Sequence, residues 1–308
     1  MLQCDALTAA LKLSVVLACR SQEHGSALCG RLLLAQRRPG VELILAVDGE
    51  DTQANSPFGS EFDAEFDVVV SVPGALVPEL WAAGIRRASG ERVALLTDTV
   101  LPDTAWVDTF LAEDSGAAAV GGLFAPSRRR FSPVDDALLF CRYSRHLPPR
   151  PAPGADVAAD NACYRRDRLN AVAASWEHGF WEPAVHAQLR LLGDDVVVVS
   201  APTVRVAPGR SLRGFGRQRL THGYEHARQQ GANLGRTSLA LRVAMAPLVP
   251  GILLFRWFRQ ACARRGLLLR FIVALPAACV FAACWAVGEA RGYAGLLFGD
   301  STRPSGKR

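Results

Sequence analysis

Two apolar stretches near the N-terminus decide the fold: LKLSVVLACR at residues 11–20 and VELILAVDGE at residues 41–50. Each contains a nearly continuous run of Val, Leu and Ile, which is typical of a strand buried on both faces of a parallel sheet. A helical pattern over Ala27–Gln36 separates the two strands. This order predicts an α/β fold with a mostly parallel sheet flanked by helices.

The same alternation continues along the chain. Further strands are predicted at FDVVVSVPG (66–74), ERVALLTDTVLP (91–102) and DDVVVVSAP (194–202). Helices are predicted over Pro78–Ser89 and from Pro183 onward, since proline is well suited to the first helical turn. The first two hundred residues therefore contain enough elements for one α/β domain.

Charged side chains follow three of the predicted strands. Arg20, Asp48 and Asp98 come at or near the points where the first, second and fourth strands end. Parallel sheets bind their ligands beyond the carboxyl ends of the strands, so these residues are candidates for a binding site. Residues 126–160, rich in Pro and Arg, are predicted to form a long loop over that edge.

The charge of the chain is distributed unevenly over its 308 residues. Residues 1–204 carry 18 Lys and Arg against 26 Asp and Glu, a net −8, whereas residues 205–308 carry 17 against 3, a net +14. An acidic body with a basic, apolar tail favours a soluble domain attached to an anionic surface over a uniform nucleic-acid binder. We place the domain boundary at residue 205, with an α/β domain at 1–205 and a basic, apolar region at 206–308.

Two apolar runs in the tail predict membrane association. Leu267–Val287 is long enough to form a transmembrane helix, whereas Val243–Phe255 is interrupted by prolines and is marginal or re-entrant. The positive-inside rule places the arginines between the two runs in the cytoplasm, and hence the protein at the cytoplasmic membrane. An amphipathic surface hairpin without a span is the alternative.

Several sequence signatures are missing. The chain has no Walker A loop, GxSxG, HExxH or complete GxGxxG motif. Its basic residues are not interleaved with stacking aromatic residues, so nucleic acid is not an expected partner. Its eight cysteines include no CxxC pair, which favours free thiols in a reducing compartment.

Five segments in a fixed order carry a family resemblance: LSVVLACR, ELILAVDGE, LWAAGIRRASGERVALLTDTVLP, DNACYRRDRL and HGFWEPAVHAQLRLLG. This order, over about residues 12–230, resembles the family 2 glycosyltransferases, in particular their bacterial membrane-attached members. The resemblance implies a GT-A fold, in which a Rossmann-like nucleotide-binding half is joined to an acceptor-binding half. It also implies a nucleotide-sugar as co-substrate and a lipid or saccharide acceptor.

The resemblance implies a donor site at the strand ends. Asp48 matches the aspartate that recognises the nucleotide base, although an Asx turn before Gly49 would also explain it. Asp98 matches the centre of an acidic motif whose last position binds Mg²⁺ or Mn²⁺. Thr97 and Thr99 flank Asp98 where the family carries acids, so the chain makes weaker provision for a divalent cation. Asp98 is thus a candidate for the ribose or for a metal, and the alternative is that it only caps a turn before Pro102.

Arginines complete the predicted donor site. Arg20, at a strand end, is a donor-binding candidate, and Arg213, Arg217 and Arg219 in GRSLRGFGRQRLTHGYEHAR are candidates for the diphosphate. Guanidinium groups neutralise phosphate charge, a role that matters most if no metal is present. Contact of Arg217 and Arg219 with anionic lipid headgroups is the alternative.

The last two segments resemble the acceptor side of the family site. In DNACYRR, Asp160 and Asn161 would bind hydroxyl groups and Arg165 would face phosphate. In FWEPAVH, Glu182 matches the catalytic base, with Trp181 as an apolar wall or sugar-stacking face. Pro183 replaces the usual catalytic aspartate. The alternatives are that Glu182 only caps its helix, that Glu177 acts instead, or that the aromatic residues belong to the core.

These observations predict an enzyme that transfers a sugar from a nucleotide-sugar to an acceptor hydroxyl at the cytoplasmic membrane face. We expect inversion at the anomeric carbon and a role in cell-surface polysaccharide or glycolipid synthesis. Because acids are missing at positions 97, 99 and 183, a non-catalytic nucleotide-sugar-binding scaffold subunit is the alternative. A generic Rossmann-like nucleotide binder is a third reading.

Overall fold

Strands and helices alternate over much of the chain. The computed structural model describes residues 11–20, 24–49, 60–128 and 132–299. The strands are β1 (Leu13–Cys19), β2 (Val41–Val47), β3 (Val68–Ser71), β4 (Arg92–Thr97), β5 (Val100–Pro102), β6 (Ala119–Ala125), β7 (Asn161–Arg165) and β8 (Val196–Val206). The helices of the first two hundred residues are α1 (His24–Leu34), α2 (Ser60–Asp63), α3 (Val77–Arg87), α4 (Trp106–Leu111), α5 (Pro133–Tyr143), α6 (Arg166–Ala171) and α7 (Glu182–Leu191).

Four further helices follow β8. They are α8 (Leu212–Gly231), α9 (Arg236–Met245), α10 (Val249–Cys262) and α11 (Leu267–Phe298). A short 3₁₀ turn at 246–248 joins α9 to α10, and Pro247 lies within it. A glycine with a left-handed backbone, Gly266, separates α10 from α11.

The described strands form one mixed sheet in the order β3-β2-β1-β4-β7-β6-β8-β5. The half made of β3, β2, β1 and β4 is parallel throughout. In the other half β7 runs antiparallel to both β4 and β6, and β5 antiparallel to β8, while β6 and β8 are parallel. The α/β class with a C-terminal helical region is therefore confirmed, and the parallel half is the one that the N-terminal apolar runs predicted.

The core lies on both faces of the parallel half. Every residue of β1 and β2 is buried, which explains why these runs are apolar apart from Ser14 and Glu42 rather than alternating. The Ser14 hydroxyl donates a hydrogen bond to the Glu42 carboxylate. Helix α3 covers one face with Leu80, Trp81 and Ile85. It begins with Pro78 in its first turn, and the Glu79 carboxylate accepts the Leu76 N–H at 2.6 Å.

Two predictions about the chain path were wrong. The strand predicted over residues 91–102 is interrupted at Asp98 and Thr99, because β5 leaves β4 and pairs with β8, Val100 lying opposite Val206. The loop predicted over residues 126–160 contains α5, a helix of eleven residues. The first difference depends on pairing with a distant segment.

The chain forms two compact units. Unit 1 comprises Met1–Ala125 and Arg145–Ala207, and unit 2 comprises Pro126–Ser144 and Pro208–Arg308. The domain boundary at residue 205 stays a prediction, and unit 2 additionally includes α5. Two helical stretches of unit 2 are long and apolar enough to cross a membrane, Arg236–Cys262 with 27 residues and Leu267–Phe298 with 32.

Helices α8 and α11 pack at a separation that requires glycine. A Cβ atom on Gly288 would lie 2.0 Å from the Leu220 carbonyl oxygen, and one on Gly223 would lie 2.4 Å from the Trp285 carbonyl oxygen. Both obstacles are backbone atoms, which cannot move aside as a side chain does. Phe215 and Phe281 close the same interface edge to face, with ring centroids 4.6 Å apart.

We expect Gly288→Ala to lower the free energy of unfolding of unit 2 by about 1–3 kcal/mol or more, because the two helices must separate. Gly251→Ala is the matched control: it lies inside α10 with open space around its Cβ position. Alanine there should be neutral or stabilising by up to about 1 kcal/mol. Urea unfolding of both variants measures the difference. Equal stabilities would contradict the close packing of α8 and α11.

Candidate functional site

The candidate site lies at the carboxyl edge of the parallel half-sheet in unit 1. Asp48 and Asp98 extend the ladder there, since their N–H groups donate to the carbonyls of Cys19 and Ala18, each at 3.2 Å. Arg20 follows β1, which lies between β2 and β4. The structure thus brings three predicted donor residues, Arg20, Asp48 and Asp98, to one edge.

Arg20 and Asp48 form a partly exposed ion pair. The distance from Arg20 Nε to Asp48 Oδ2 is 3.7 Å, and the two side chains are 36% and 26% exposed. The other oxygen of Asp48 accepts the Gly74 N–H at 2.7 Å. Asp48 therefore organises the turn after β3 and still presents charge to solvent, so the binding role and the turn role are compatible.

A buried polar cluster surrounds the end of β4. Thr97 donates a hydrogen bond to Asp160 Oδ1 at 2.9 Å, and the Thr97 and Thr99 hydroxyls lie 2.6 Å apart. Asp98 and Asp160 are 2% and 1% exposed. Asp160 reaches this edge because β7 runs antiparallel to β4, which sets Asn161 opposite Leu96. Thr97 and Thr99 thus form a hydrogen-bonded hydroxyl pair at the end of β4.

Glu182 adjoins this cluster. Its Oε1 atom accepts the backbone N–H of Ala159, the neighbour of Asp160, at 2.6 Å. Glu182 is the first residue of α7 and is half-buried. The positive end of the helix dipole favours a carboxylate at this position. Glu182, Asp160 and Thr97 are therefore joined by a short series of contacts that ends beside Asp98.

The oxygen atoms at this edge do not form an evident divalent-cation site. Among the described residues, no group of three or more His, Cys, Asp and Glu side chains is placed to hold a metal. The edge offers the carboxylates of Asp98 and Asp160, and the hydroxyls of Thr97 and Thr99 bond to each other. This set fits a cation poorly. Asp98 as a metal ligand stays a prediction.

Two predicted acceptor residues take other positions. Arg165 ends β7 opposite Arg92, at the amino end of β4, about 13 Å along the strand from the site edge. It is exposed and pairs with Asp167 at 2.7 Å. The antiparallel direction of β7 is the reason. Asn161 is fully buried: its oxygen accepts from Trp106 Nε1 at 2.7 Å.

The amide nitrogen of Asn161 is also bonded within the protein. It donates to the carbonyls of Leu123 and Pro202 at 3.0 and 3.2 Å. Asn161 thus ties β7 to β6 and to the segment around Pro202. These internal bonds give Asn161 a structural role, and its binding of an acceptor hydroxyl stays a prediction.

The residues around Glu182 bear on the alternative base. Glu177 is exposed, and its carboxylate lies 3.3 Å from the ring of His178, whose side chain is 94% exposed. Nothing in these contacts connects Glu177 with Asp160 or Asp98, so Glu182 is the better-placed carboxylate. Trp181 caps α7 and is half-buried beside Glu182, a position consistent with a wall of the acceptor site.

The two arginines of α8 belong to unit 2. Arg219 is buried, and its guanidinium lies 4.2 Å above the Trp285 ring. Burial lowers the pKa of Arg219. These contacts make Arg219 a packing residue of the α8–α11 interface, and its assignment to the diphosphate stays a prediction. Arg217 is exposed on the same helix, and its role stays a prediction.

The sequence analysis missed a buried network next to Glu182. His186 lies one helical turn after Glu182 on α7, with its Nδ1 3.0 Å from Asp156 Oδ1 and its Nε2 3.0 Å from the Tyr164 hydroxyl. Arg190 also pairs with Asp156, at 2.6 Å. The spacing of Glu182, His186 and Arg190 by four residues along one helix was the available signal.

The groups of this network shift one another's pKa values. Burial alone would raise the pKa of Asp156, but His186 and Arg190 beside it hold that pKa well below its usual range. Burial raises the pKa of the Tyr164 hydroxyl, and the nearby charge of Glu182 adds to the rise. Tyr164 therefore stays protonated and able to donate. The network holds α7 in place through His186 and Arg190, and so fixes the position of Glu182 at the start of the helix.

A second histidine of unit 1 makes stability depend on pH. His146 is buried against the Phe124 ring, its Nε2 bonds the Asp156 carbonyl, and burial lowers its pKa. Because the unfolded chain then binds a proton before the folded one, acidification below about pH 6.5 should reduce the free energy of unfolding. His146→Gln, which can keep the hydrogen bond, should lose that part of the pH dependence. If the free energy of unfolding changed with pH in the same way for the variant and the parent chain, this prediction would be contradicted.

One cavity of about 640 Å³ lies elsewhere in unit 1. Its lining includes Arg31 on α1 and Glu61 and Phe62 on α2, and none of the predicted site residues. This cavity is therefore separate from the predicted nucleotide-sugar site. Residues 21–23 and 50–59, which follow β1 and β2 in the chain, lie outside the described residues.

Comparison with known proteins gives structural likeness only. No protein-family model matches the chain, and no curated protein sequence matches it. Among solved structures, S. aureus TarS residues 1–349 is similar at 11% identity and a TM-score of 0.46, covering 95% of this chain and 93% of that one. The same protein in complex with UDP-GlcNAc is similar at 13% identity and a TM-score of 0.45, covering 94% and 92%.

A further similar structure is glucosyl-3-phosphoglycerate synthase from Mycobacterium tuberculosis, in complex with Mn²⁺, UDP and phosphoglyceric acid. It has 18% identity and a TM-score of 0.42, and the match covers 67% of this chain and 74% of that one. At such identities and TM-scores the likeness concerns the fold alone.

Proposed function

We propose that this chain is a glycosyltransferase that uses a nucleotide-sugar donor. The observation that carries the proposal is the series of contacts from Glu182 through Ala159 and Asp160 to Thr97. It brings a helix-start carboxylate to the strand edge that ends in Asp48 and Asp98. The ordered segments resembling family 2 glycosyltransferases support the same activity.

The donor would lie along the strand ends. Asp48, partly exposed, would accept hydrogen bonds from the nucleotide base, and Asp98 would hold the ribose. Arg20, which pairs with Asp48 at 3.7 Å, would supply positive charge to the diphosphate. Charge grows on that diphosphate as it leaves, so a fixed guanidinium stabilises the transition state more than the ground state.

The acceptor would approach from the side of Glu182. The Ala159 N–H donates to Glu182 Oε1 at 2.6 Å and so fixes the position of the carboxylate at the start of α7. Glu182 would remove the proton as the hydroxyl oxygen attacks the anomeric carbon in line with the departing diphosphate. A single displacement of this kind inverts the anomeric configuration. Asp160 would orient an acceptor hydroxyl, and Trp181 would form the wall of the site.

We further propose that unit 2 attaches the enzyme to the cytoplasmic membrane surface. Exposed apolar side chains on α10 and α11, together with the net +14 of residues 205–308, support this location. A membrane acceptor would be a lipid-linked saccharide or a growing surface polysaccharide.

A non-catalytic sugar-nucleotide-binding subunit is the second candidate. The specific observation in its favour is that the Thr97 and Thr99 hydroxyls bond to each other where the family carries acids. Such a protein would bind the donor without turning it over.

A donor screen with purified protein tests the proposal. UDP-, GDP- and dTDP-sugars, each with and without Mg²⁺ or Mn²⁺, would be assayed for hydrolysis or transfer and for binding by calorimetry. Turnover of one sugar nucleotide is the expected result. Binding without turnover would support the scaffold, and a preference for NAD over every sugar nucleotide would contradict both.

A further inference from the structure

We infer that unit 2 binds the bilayer as an interfacial anchor and that α11 does not cross it. The surface facing lipid would be α10 together with the outer side of α11, called here the lipid face. This inference rests on the membrane attachment proposed above and adds the manner of attachment. It departs from the expectation that Leu267–Val287 spans the membrane.

Every possible span within α11 contains the same central residues. The helix has 32 residues, and crossing the hydrocarbon core takes about 20. Any window of about 20 residues inside Leu267–Phe298 includes Phe281 and Trp285. Whatever contacts these two side chains would therefore lie at bilayer depth.

Phe281 and Trp285 both contact α8. Phe281 packs on Phe215 with ring centroids 4.6 Å apart, and Trp285 lies under the Arg219 guanidinium at 4.2 Å. The close approach at Gly223 and Gly288 shows that α8 touches the backbone of α11 there. A span would consequently carry the middle of α8 into the hydrocarbon layer.

Helix α8 is too polar for that environment. Around Arg219 it carries Arg217, which is exposed, and Glu225 and Arg228, which are partly exposed. Ionised side chains at bilayer depth are strongly disfavoured unless they face a polar interior. The polar surface of α8 is therefore expected on the aqueous side of α11.

The two ends of α11 are also held by polar partners. At its start, Arg270 pairs with the buried Asp136 of α5 at 2.8 Å. Near its end, the Tyr293 hydroxyl accepts a hydrogen bond from Arg242 of α9 at 2.9 Å. Polar elements thus accompany α11 along its length, as expected for a helix that lies in the interface plane.

The opposite side of α11 is apolar and exposed. Its exposed large side chains are Leu268, Leu269, Ile272, Leu275, Val280, Val287 and Phe298. At about 100° per residue these positions fall within an arc of about 140°, and so form a stripe along one side of the helix. Lipid is the occupant that fits a stripe of this length bordered by cations.

Helix α10 extends the lipid face but is short. Its 14 residues alone span about 21 Å, less than the hydrocarbon thickness of about 30 Å. The longer stretch Arg236–Cys262 has the length to cross, but every window of about 20 residues within it contains Arg242 or Arg256. Ile252 and Phe255 are exposed, and so are Arg256 and Arg259 on adjacent turns. Arginine stems can lie along apolar surface while their heads reach anionic headgroups. This mixture is typical of an interfacial helix.

Flotation with vesicles of phosphatidylcholine and phosphatidylglycerol tests the lipid face. The full chain should float. The double variant Ile272→Glu/Val280→Glu, altered at two exposed positions, should lose about tenfold or more of its vesicle binding. The control Gln229→Glu/Gln230→Glu adds the same charge at exposed positions of α8 and should bind as the parent does. Equal binding by all three chains would overturn the lipid face.

Topology is tested on membranes that carry the full chain. Alkaline carbonate should release an interfacial protein, and retention in the pellet would overturn the inference. In sealed vesicles, an impermeant maleimide should add one label to Ala263→Cys and one to Phe298→Cys from the same side. Labelling from opposite sides would mean that α11 crosses the membrane.

The outcomes separate the two proposals. A parent chain that does not float contradicts membrane attachment itself, and with it the interfacial geometry. A parent chain that floats but resists carbonate contradicts the interfacial geometry alone. If the chain formed a soluble dimer whose interface buried Ile272 and Val280, lipid would not be the occupant of this face and the inference would be overturned.

Discussion

Glu182→Gln is expected to lower the rate of glycosyl transfer by about 10²- to 10⁴-fold, the usual contribution of a general base. The amide oxygen of glutamine can still accept the Ala159 N–H that Glu182 accepts at 2.6 Å. The start of α7 should therefore keep its geometry while the proton acceptor is lost. The rate constant for transfer at saturating donor, with the binding constant of the donor measured in parallel, reports the effect.

Two companion variants separate catalysis from support. Glu182→Ala removes both the base and the bond to Ala159, so it should also reduce stability. Glu177→Gln changes an exposed carboxylate and should leave the rate close to that of the parent chain. If Glu182→Gln retained full activity while Glu182→Ala lost it, Glu182 would be a brace for Ala159 and not the base.

Arg270→Met is expected to lower the free energy of unfolding of unit 2 by about 3–5 kcal/mol, because it leaves a buried carboxylate without its partner. Arg270 Nη1 lies 2.8 Å from Asp136 Oδ1, and the Asp136 side chain is fully buried. The exposed Arg265→Met is the matched control and should change stability by no more than about 0.5 kcal/mol. Urea unfolding measures both.

The pH dependence of Arg270→Met provides a second test. Burial already raises the pKa of Asp136, with Arg270 opposing the rise. Without Arg270 the folded chain should hold the Asp136 proton still more tightly than the unfolded chain does. The destabilisation should then be smaller in acid and grow as the pH rises. The double variant Arg270→Met/Asp136→Leu should recover most of the loss, and equal losses in single and double variants would contradict this account.

The parallel half-sheet was predictable because its strands are buried on both faces. The sequences of β1 and β2 do not alternate between polar and apolar residues, so both were recognisable as buried strands. The structure confirms both strands. Helix α5 had a readable signal as well: Pro133 in its first turn followed by Asp135 and Asp136. The high proline and arginine content of residues 126–160 nevertheless led to the prediction of a loop. The pairing of β5 with β8 could not be predicted from the local sequence, since it joins residues about a hundred positions apart.

The candidate site was predictable only where it follows from strand ends. Asp48 and Asp98 meet at one edge because parallel strands end together. Arg165 was misplaced because the sequence does not reveal that β7 runs antiparallel, which exchanges the two ends of that strand. The bond between Asp160 and Thr97 is likewise a long-range contact without a local pattern.

The most direct test of the account is a crystal structure with the nucleotide-sugar that the donor screen selects. We predict the base at Asp48, the ribose at Asp98, the diphosphate near Arg20 and the anomeric carbon facing Glu182. Nucleotide bound elsewhere, for instance in the cavity between α1 and α2, would contradict it.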